Sequence, residues 1–317
     1  MIIIFTIKYD ISTSNVIQWL QHFNQEVIRI NSDDDIFKLV SIEENKIIFR
    51  NSITNKEYNL YDAKSCWWRR NGISKNTFTN SKNENLFFKD LDLTSLIKGN
   101  GNILIEETEH LKEYIYTKIY ENCKINIGKP LFNLNKLKVL DIASKNGLKV
   151  PKYKIITNTE QINEFESVTK AISNGIYKII DNHSFYSYTE KLNLTKLKNK
   201  SIDVFPSLQM ELIKKKLEIR CFFIDGYFFS MAIFSQTSEQ TKIDFRKYNN
   251  KIPNKTEPFL LPIEIENKLE KIFKELNLNC GSIDLIVDDN DNYFFLEINP
   301  VGQYGMVSDP CNYDLDK

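Results

Sequence analysis

The stretch Cys280–Gly302 reads CGSIDLIVDDNDNYFFLEINPVG. Ile283–Val287 and Tyr293–Ile298 are rich in β-branched and aromatic residues, and the polar DDNDN between them has turn composition. The pattern predicts an antiparallel hairpin. With Asp289–Asn292 as the loop, Asp288 opposes Tyr293 and, counting back, Asp284 opposes Glu297. Side chains alternate along a strand, so Asp284, Glu297 and Asn299 fall on one face. Leu285, Val287, Phe294, Leu296 and Ile298 are expected on the other. Like charges placed directly opposite repel, and the pairing makes sense around a hard cation, which takes oxygen ligands. DDNDN itself is not a calcium loop. An EF-hand loop beginning at Asp288 needs Gly at 293 and Glu at 299, where Tyr293 and Asn299 stand.

The chain has 317 residues, enough for two or three compact units. Its 42 Lys plus Arg equal its 42 Asp plus Glu, so no bulk charge draws it to nucleic acid or to a membrane. No apolar run has membrane-spanning length, and MIIIFTI at the start is too short for a signal peptide or a span. Five scattered cysteines lack metal-type spacing and fit a reducing, cytoplasmic setting. His22, His110 and His183 are also scattered, so neither a zinc site nor a Ser–His–Asp triad can be argued.

Working outward, Ile2–Ile7 reads as a buried strand, Asn15–Phe23 as a helix and Val27–Ile30 as a second strand. Leu39–Phe49 and Tyr58–Tyr61 look like strands around the turn-like NSITNK, and CWWRRNG follows at Cys66–Gly72. Two readings fit Trp67, Trp68, Arg69 and Arg70: an edge strand, or a ligand-facing segment. Residues 74–95 are a polar loop, and Ile103–Ile119 has the spacing of a long helix. Asn122–Asn133, with Gly128 and Pro130, is a break that separates domains.

Beyond it, Lys136–Asn146 is a helix with Gly147 at its C-cap. Ile155–Thr157 is a strand, Gln161–Val168 a helix, and Ile176–Ile180 a strand carrying Lys178. Lys178 is either an outward residue of an alternating strand or an ammonium that reaches a phosphate. Ser207–Ile213 ends in Glu211, Leu212 and Ile213, a strand end that offers backbone groups to a purine edge. Glu218–Ile224 alternates, Asp225–Gly226 turns into Tyr227–Ser235, DFRKY follows, and Glu264–Leu276 is an amphipathic helix.

The order of these elements resembles the ATP-grasp ligases over roughly Leu131–Gln303: a helix with Lys136, a strand with Lys178, the hinge ELI, the strand EIR, then CGSIDLIV and LEINP. CWWRRNG, KKKLEIRCFFIDG, DFRKYN and FLEINPVGQYG are similar to the graspetide (microviridin-type) synthetase branch, and NPVGQYGMVSDPCNY most resembles the "grasp-with-spasm" peptide maturases. The resemblance implies an α/β (α+β) ATP-grasp fold with a small N-terminal α/β domain. The expected domains are 1–125, a central subdomain 126–205 and a C-terminal subdomain 206–317.

It further implies an ADP-forming ligase that uses ATP and Mg²⁺. A side-chain carboxylate of a precursor peptide becomes an acyl phosphate, and a hydroxyl or amine of the same peptide displaces phosphate, giving an ester or amide cross-link. Lys136, Lys178, Glu211, Leu212 and Ile213 would bind ATP, and Asp284, Glu297 and Asn299 would bind the metal. Arg220 and Arg246 would orient the carboxylate or phosphoryl group, and Glu218 would pair with an arginine or meet the peptide. Partners would be a leader-plus-core peptide and a possible second copy of the chain. The alternatives are a ligase adding a residue to a separate acceptor, and a nucleotide-binding scaffold without turnover. Two features depart from the pattern: DNHSFYSY after Lys178 holds no glycine, and the chain ends soon after LEINP, so a closing helix is short or the chain is clipped. Lys214–Lys216 is either a solvated hairpin end or a seat for an acidic peptide segment.

Overall fold

The computed structural model describes residues 1–74, 77–78, 94–130, 134–162, 165–173, 177–180, 183–186, 188–193, 201–247 and 251–317, the side chains of 94–104, 177–180 and 183–186 excepted. The chain forms two compact units, Met1–Phe132 with Asp316–Lys317, and Asn133–Leu315. The expected boundaries 125/126 and 205/206 fall inside the strands Ile125–Ile127 and Asp203–Glu211.

In the first unit, Ile2–Thr6 runs parallel to Val27–Asn31 on one side and Ser65–Trp68 on the other, and Ile125–Ile127 adds beyond Ser65–Trp68. A parallel strand is covered on both faces, which is why IIIFT reads as a continuous apolar run. Phe5, Trp68 and Tyr116 pack ring against ring, with centroids 4.8 to 5.2 Å apart. Ser65–Trp68 is therefore an interior strand, not an edge. Trp68 is buried within it and Trp67 is half-buried. The expected single strand Leu39–Phe49 is instead two, Phe37–Glu43 and Lys46–Asn51. The chain turns between them at Asn45, whose positive φ of 60° an Asn tolerates. The long helix runs from Thr94 to Asn122, and most of the expected polar loop 74–95 lies outside the described residues.

The second unit holds two larger antiparallel sheets. One contains Tyr153–Asn158, Asp203–Glu211, Ser167–Lys170 and Glu190–Lys191. Gln161–Val168, expected to be helical, is corrected here. A single 3-10 turn, Thr159–Gln161, precedes the strand Ser167–Lys170, which pairs with Leu208–Glu211. Ladder bonds to a neighbouring strand override the weak local helical spacing.

The other sheet has the order Lys255–Phe259, Tyr227–Phe234, Lys215–Ile224, Cys280–Asp288, Tyr293–Asn299. Lys255–Phe259, which the sequence reading does not assign, is a strand that carries Pro258. It lies at the sheet edge, where a missing N–H costs no ladder bond. Helix Ile263–Glu275 buries Ile265, Leu269, Ile272 and Phe273, an i, i+4, i+7, i+8 stripe. Helix Lys136–Lys145 starts where Asn135 accepts from Leu137 and Lys138 N–H and ends before Gly147 at φ 78°. A short helix, Gly305–Cys311, follows LEINP. Lys214 and Lys216 pair with Asp289 and Asp291 of the neighbouring hairpin, each at 2.7 Å, which is the solvated hairpin end of the two readings.

Gly302 turns the chain from the last strand toward that short helix. Its φ is +55°, and a Cβ there would sit 3.0 Å from the Phe222 ring and from Ser282 Oγ. Gly302→Ala is expected to cost about 1–2 kcal/mol from the left-handed backbone alone. A urea melt should show a lower midpoint at unchanged slope; an unaltered midpoint would mean the turn relaxes freely.

Candidate active site

Asp284 and Glu297 stand opposite each other on Cys280–Asp288 and Tyr293–Asn299, as the pattern predicts. The route to that register differs. Val287, not Asp288, opposes Tyr293, so the turn is one residue longer than expected. A β-bulge between the pairs Leu285–Phe295 and Asp284–Glu297 restores the register by leaving Leu296 extra. The bulge also reassigns faces. Phe295 is fully buried in place of the expected Phe294, and Leu296 lines a cavity together with Ile286, Asp284, Glu297 and Asn299.

That cavity, of about 360 Å³, lies within the second unit. Arg220 opposes Asp284 from the strand on its other side. Its Nη1 donates to both Asp284 oxygens at 2.6 and 2.5 Å. Glu297 takes two ammoniums, Lys136 Nζ at 3.2 Å and Lys170 Nζ at 3.4 Å. Lys136 comes from the first turn of its Asn135-capped helix. Lys178 lies on the strand Tyr177–Ile180 opposite Phe185, and its side chain is outside the described residues.

Lys170 is the residue that sequence reasoning missed. The supposed helix Gln161–Val168 stopped just short of it. The signal was present: SVTK alternates as a strand and is followed by AISNG, a turn-like segment with a glycine. Lys170 ends that strand with a side chain only 14% exposed, against Glu297.

Arg246 forms a forked pair with Asp244, at 2.8 and 2.6 Å, and Asp244 also accepts from Thr189 N–H at 3.1 Å. Glu218 lines the cavity but pairs with Lys215 rather than an arginine. Ser235 Oγ donates to the same Glu218 oxygen at 2.8 Å. Both Glu218 and Lys215 are buried, and burial pushes the Glu218 carboxyl up despite these partners. Glu211, Leu212 and Ile213 line the cavity too. Glu211 Oε2 accepts from Lys152 N–H at 3.1 Å, and Leu212 N–H donates to Glu166 C=O at 2.9 Å. Among the described residues Ile213 N–H has no such backbone partner.

Burial alone would raise the Glu297 carboxyl, but Lys170 and Lys136 outweigh it and hold it down at about 2. Burial raises Asp284, and the neighbouring Glu297 charge adds to this, against the Arg220 guanidinium. The lining is balanced among the described residues: Lys136, Lys170, Lys215, Arg220 and Arg246 face Glu211, Glu218, Asp244, Asp284 and Glu297. An oligophosphate entering a neutral cavity must bring cations with it.

The donor set suits that. Among the described residues no group of three His, Cys, Asp or Glu side chains is arranged to hold a metal ion. Asp284, Glu297 and Asn299 instead offer two carboxylates and an amide oxygen from adjacent strands. Mg²⁺ is held in this way, by one or two carboxylates with phosphate and water completing the shell. Arg220 Nε, buried and without a hydrogen-bond partner among the described residues, adds an unmet donor to a residue that lines the cavity.

Lys170→Met removes one of the two ammoniums on Glu297. The Glu297 carboxyl should then titrate at a higher pH than in the parent, read by carboxyl-carbon NMR, and an unshifted midpoint would remove Lys170 from the site. In the parent the folded value lies below the ordinary 4.5, so the stability Glu297 contributes is complete above 4.5 and is lost as pH falls toward about 2.

No family model matches this chain, and no curated protein matches it. Solved structures do. A RiPP-associated ATP-grasp ligase from Chryseobacterium gregarium, in complex with ADP and a leader and core peptide, is 24% identical with a TM-score of 0.73, over 97% of this chain and 91% of that one. The macrocyclase MdnC of Microcystis aeruginosa, bound with precursor peptide MdnA, is 22% identical with a TM-score of 0.71, over 97% and 94%. The ATP-grasp ligase PsnB, complexed with minimal precursor, Mg and ADP, is 14% identical with a TM-score of 0.69, over 99% and 93%. At such identities likeness speaks for architecture, and the architecture is plain: this chain has the ATP-grasp fold.

Proposed function

We propose that this protein is an ATP- and Mg²⁺-dependent ligase acting on a ribosomal precursor peptide. It activates Asp or Glu side-chain carboxylates of the peptide and condenses them with a Ser or Thr hydroxyl or a Lys amine, closing ester or amide rings. One observation carries the reading. Lys136, Lys170, Arg220 and Arg246 line a single cavity with Asp284, Glu297 and Asn299, beside the strand end Glu211–Ile213. Neighbours sharing the fold are solved with ADP and with leader, core or precursor peptides.

The chemistry follows from charge. A carboxylate is a poor acyl donor because its leaving group is oxide. ATP with Mg²⁺ supplies the phosphoryl group that turns it into an acyl phosphate, from which phosphate leaves readily. The residues of this chain bring the anions together. Lys136 and Lys170 are poised to hold phosphate oxygens, exchanging Glu297 for them. Asp284, Glu297 and Asn299 are the residues to hold the metal. Ile213 N–H and the Glu211 segment would seat the base, with Leu296, Met210 and Ile286 as apolar walls. Arg246, half-exposed and fixed by Asp244, presents its remaining donors to the substrate carboxylate or the transferring phosphoryl group. Arg220 is buried, so its part is to hold Asp284 and to offer Nε inward.

Among the described residues no helix is long and apolar enough to cross a membrane. We place the protein in the cytoplasm, in keeping with five free, buried cysteines and the need for ATP. Nothing in the fold or its neighbours supports the expected homodimer.

The deciding experiment is the intact mass of candidate precursor peptides, encoded beside this gene, after incubation with the protein and Mg-ATP. Loss of one or more waters with ADP release is expected. A mass gain equal to one amino acid would overturn the reading in favour of a ligase with a separate acceptor. Glu297→Ala should abolish ADP release while keeping a cooperative melt; turnover at the parent rate would remove Glu297 from the metal site. Arg246→Ala should slow condensation on the order of 100-fold with ATP binding retained; an unchanged rate would return Arg246 to a structural pairing.

A further inference from the structure

A second cavity, of about 370 Å³, adjoins the first within the unit Asn133–Leu315. Phe245 and Met306 line both and so form the wall between them. The new cavity is mainly apolar. Met231 and Ile233, from the strand Tyr227–Phe234, line it as members of a buried cluster that includes Phe245. Asn254 and Thr256 line it as well.

Asn254 is the informative residue. Its Nδ2 donates to Phe245 C=O at 3.2 Å, which fixes the amide. Its Oδ1 is buried and, among the described residues, has no hydrogen-bond partner. A buried acceptor left unmet is costly, and native proteins keep few of them. The cavity therefore asks for an apolar body carrying one donor. A hydrocarbon would leave Oδ1 unmet. An anion would find no cation among the described residues of the lining, whose one charged side chain is Asp309, an acid. A peptide residue with a large apolar side chain fits, since its backbone N–H is the donor such an oxygen needs.

We infer that this cavity is a subsite for one large apolar side chain of the peptide substrate, adjacent to the reacting carboxylate, whose backbone N–H is taken by Asn254 Oδ1. The identity of the occupant rests on the peptide-ligase reading of the first cavity. The subsite would set which acidic side chain is presented for activation, because seating a neighbour fixes the register of an extended peptide. Strand alternation then sends the two side chains to different pockets.

The test separates the subsite from the ligase activity. N-acetyl-para-fluorophenylalanine methylamide carries the side chain and the N–H but no carboxylate, and fluorine NMR reads its binding. The parent protein should bind it. Thr256→Trp, which fills the cavity, should weaken binding at least tenfold. Asn254→Ala, which removes the acceptor and leaves the space, should weaken it about fivefold. Both variants should bind ATP as the parent does. Equal affinity of the probe for the parent and Thr256→Trp overturns the subsite. Water loss from a precursor peptide by a protein that does not bind the probe also overturns it, while leaving the ligase reading in place. Probe binding that Thr256→Trp abolishes, in a protein that releases no ADP with any peptide, supports the apolar subsite and sinks the ligase reading instead.

Discussion

Two carboxylates on neighbouring strands repel, and Asp284 and Glu297 stand directly opposite each other. Their coexistence depends on the cations around them, and much of the second unit is arranged to supply those. Strand Lys215–Ile224 brings Arg220 to Asp284, helix Lys136–Lys145 brings Lys136 to Glu297, and strand Ser167–Lys170 brings Lys170. Three separate elements thus converge on one like-charged pair. Removing a partner from a buried pair of this kind leaves an uncompensated charge, which costs far more than the pair itself contributes. The same arrangement can exchange partners. Ammoniums that hold a carboxylate have the charge and donors to hold phosphate oxygens in its place.

The β-bulge at Leu296 gives this pair its surroundings. Without the extra residue, the longer turn would set Asp284 against Leu296. The bulge places Leu296 beside Glu297 on the cavity side and buries Phe295 beneath. One strand so presents an apolar wall and a charged group side by side. Glycine assists nearby: Gly302, close against Phe222 and Ser282, lets the chain leave the sheet just beyond Asn299.

Residues 235–247, after the strand Tyr227–Phe234, reach both cavities. Ser235 and Thr241 tie this segment to itself, and Lys215 reaches across to Ile243 C=O. Asp244 and Arg246 then face one cavity while Phe245 separates it from the other. Residues adjacent in sequence thus serve charge and packing at once, on a turn that Lys247 N–H closes onto Asp244 C=O at 3.1 Å.

The sequence by itself determined the hairpin, the opposition of Asp284 and Glu297, the helix that carries Lys136 and the order of elements. Each rests on local information: turn composition, period-two or 3.6-residue spacing, a cap residue or a quoted motif. It also erred in ways that local information permits. The turn was placed one residue short and the bulge was invisible, and the two errors cancelled in the register but not in the faces of Phe294, Phe295 and Leu296. Only the tertiary structure decided that Ser167–Lys170 is a strand, because pairing with Leu208–Glu211 outweighs a weak helical spacing. Only it brought Lys170 to Glu297, 127 residues away in sequence, and gave Glu218 to Lys215. Spacing along a chain encodes which face a side chain takes; which distant charge it meets there is set by how sheets and helices pack.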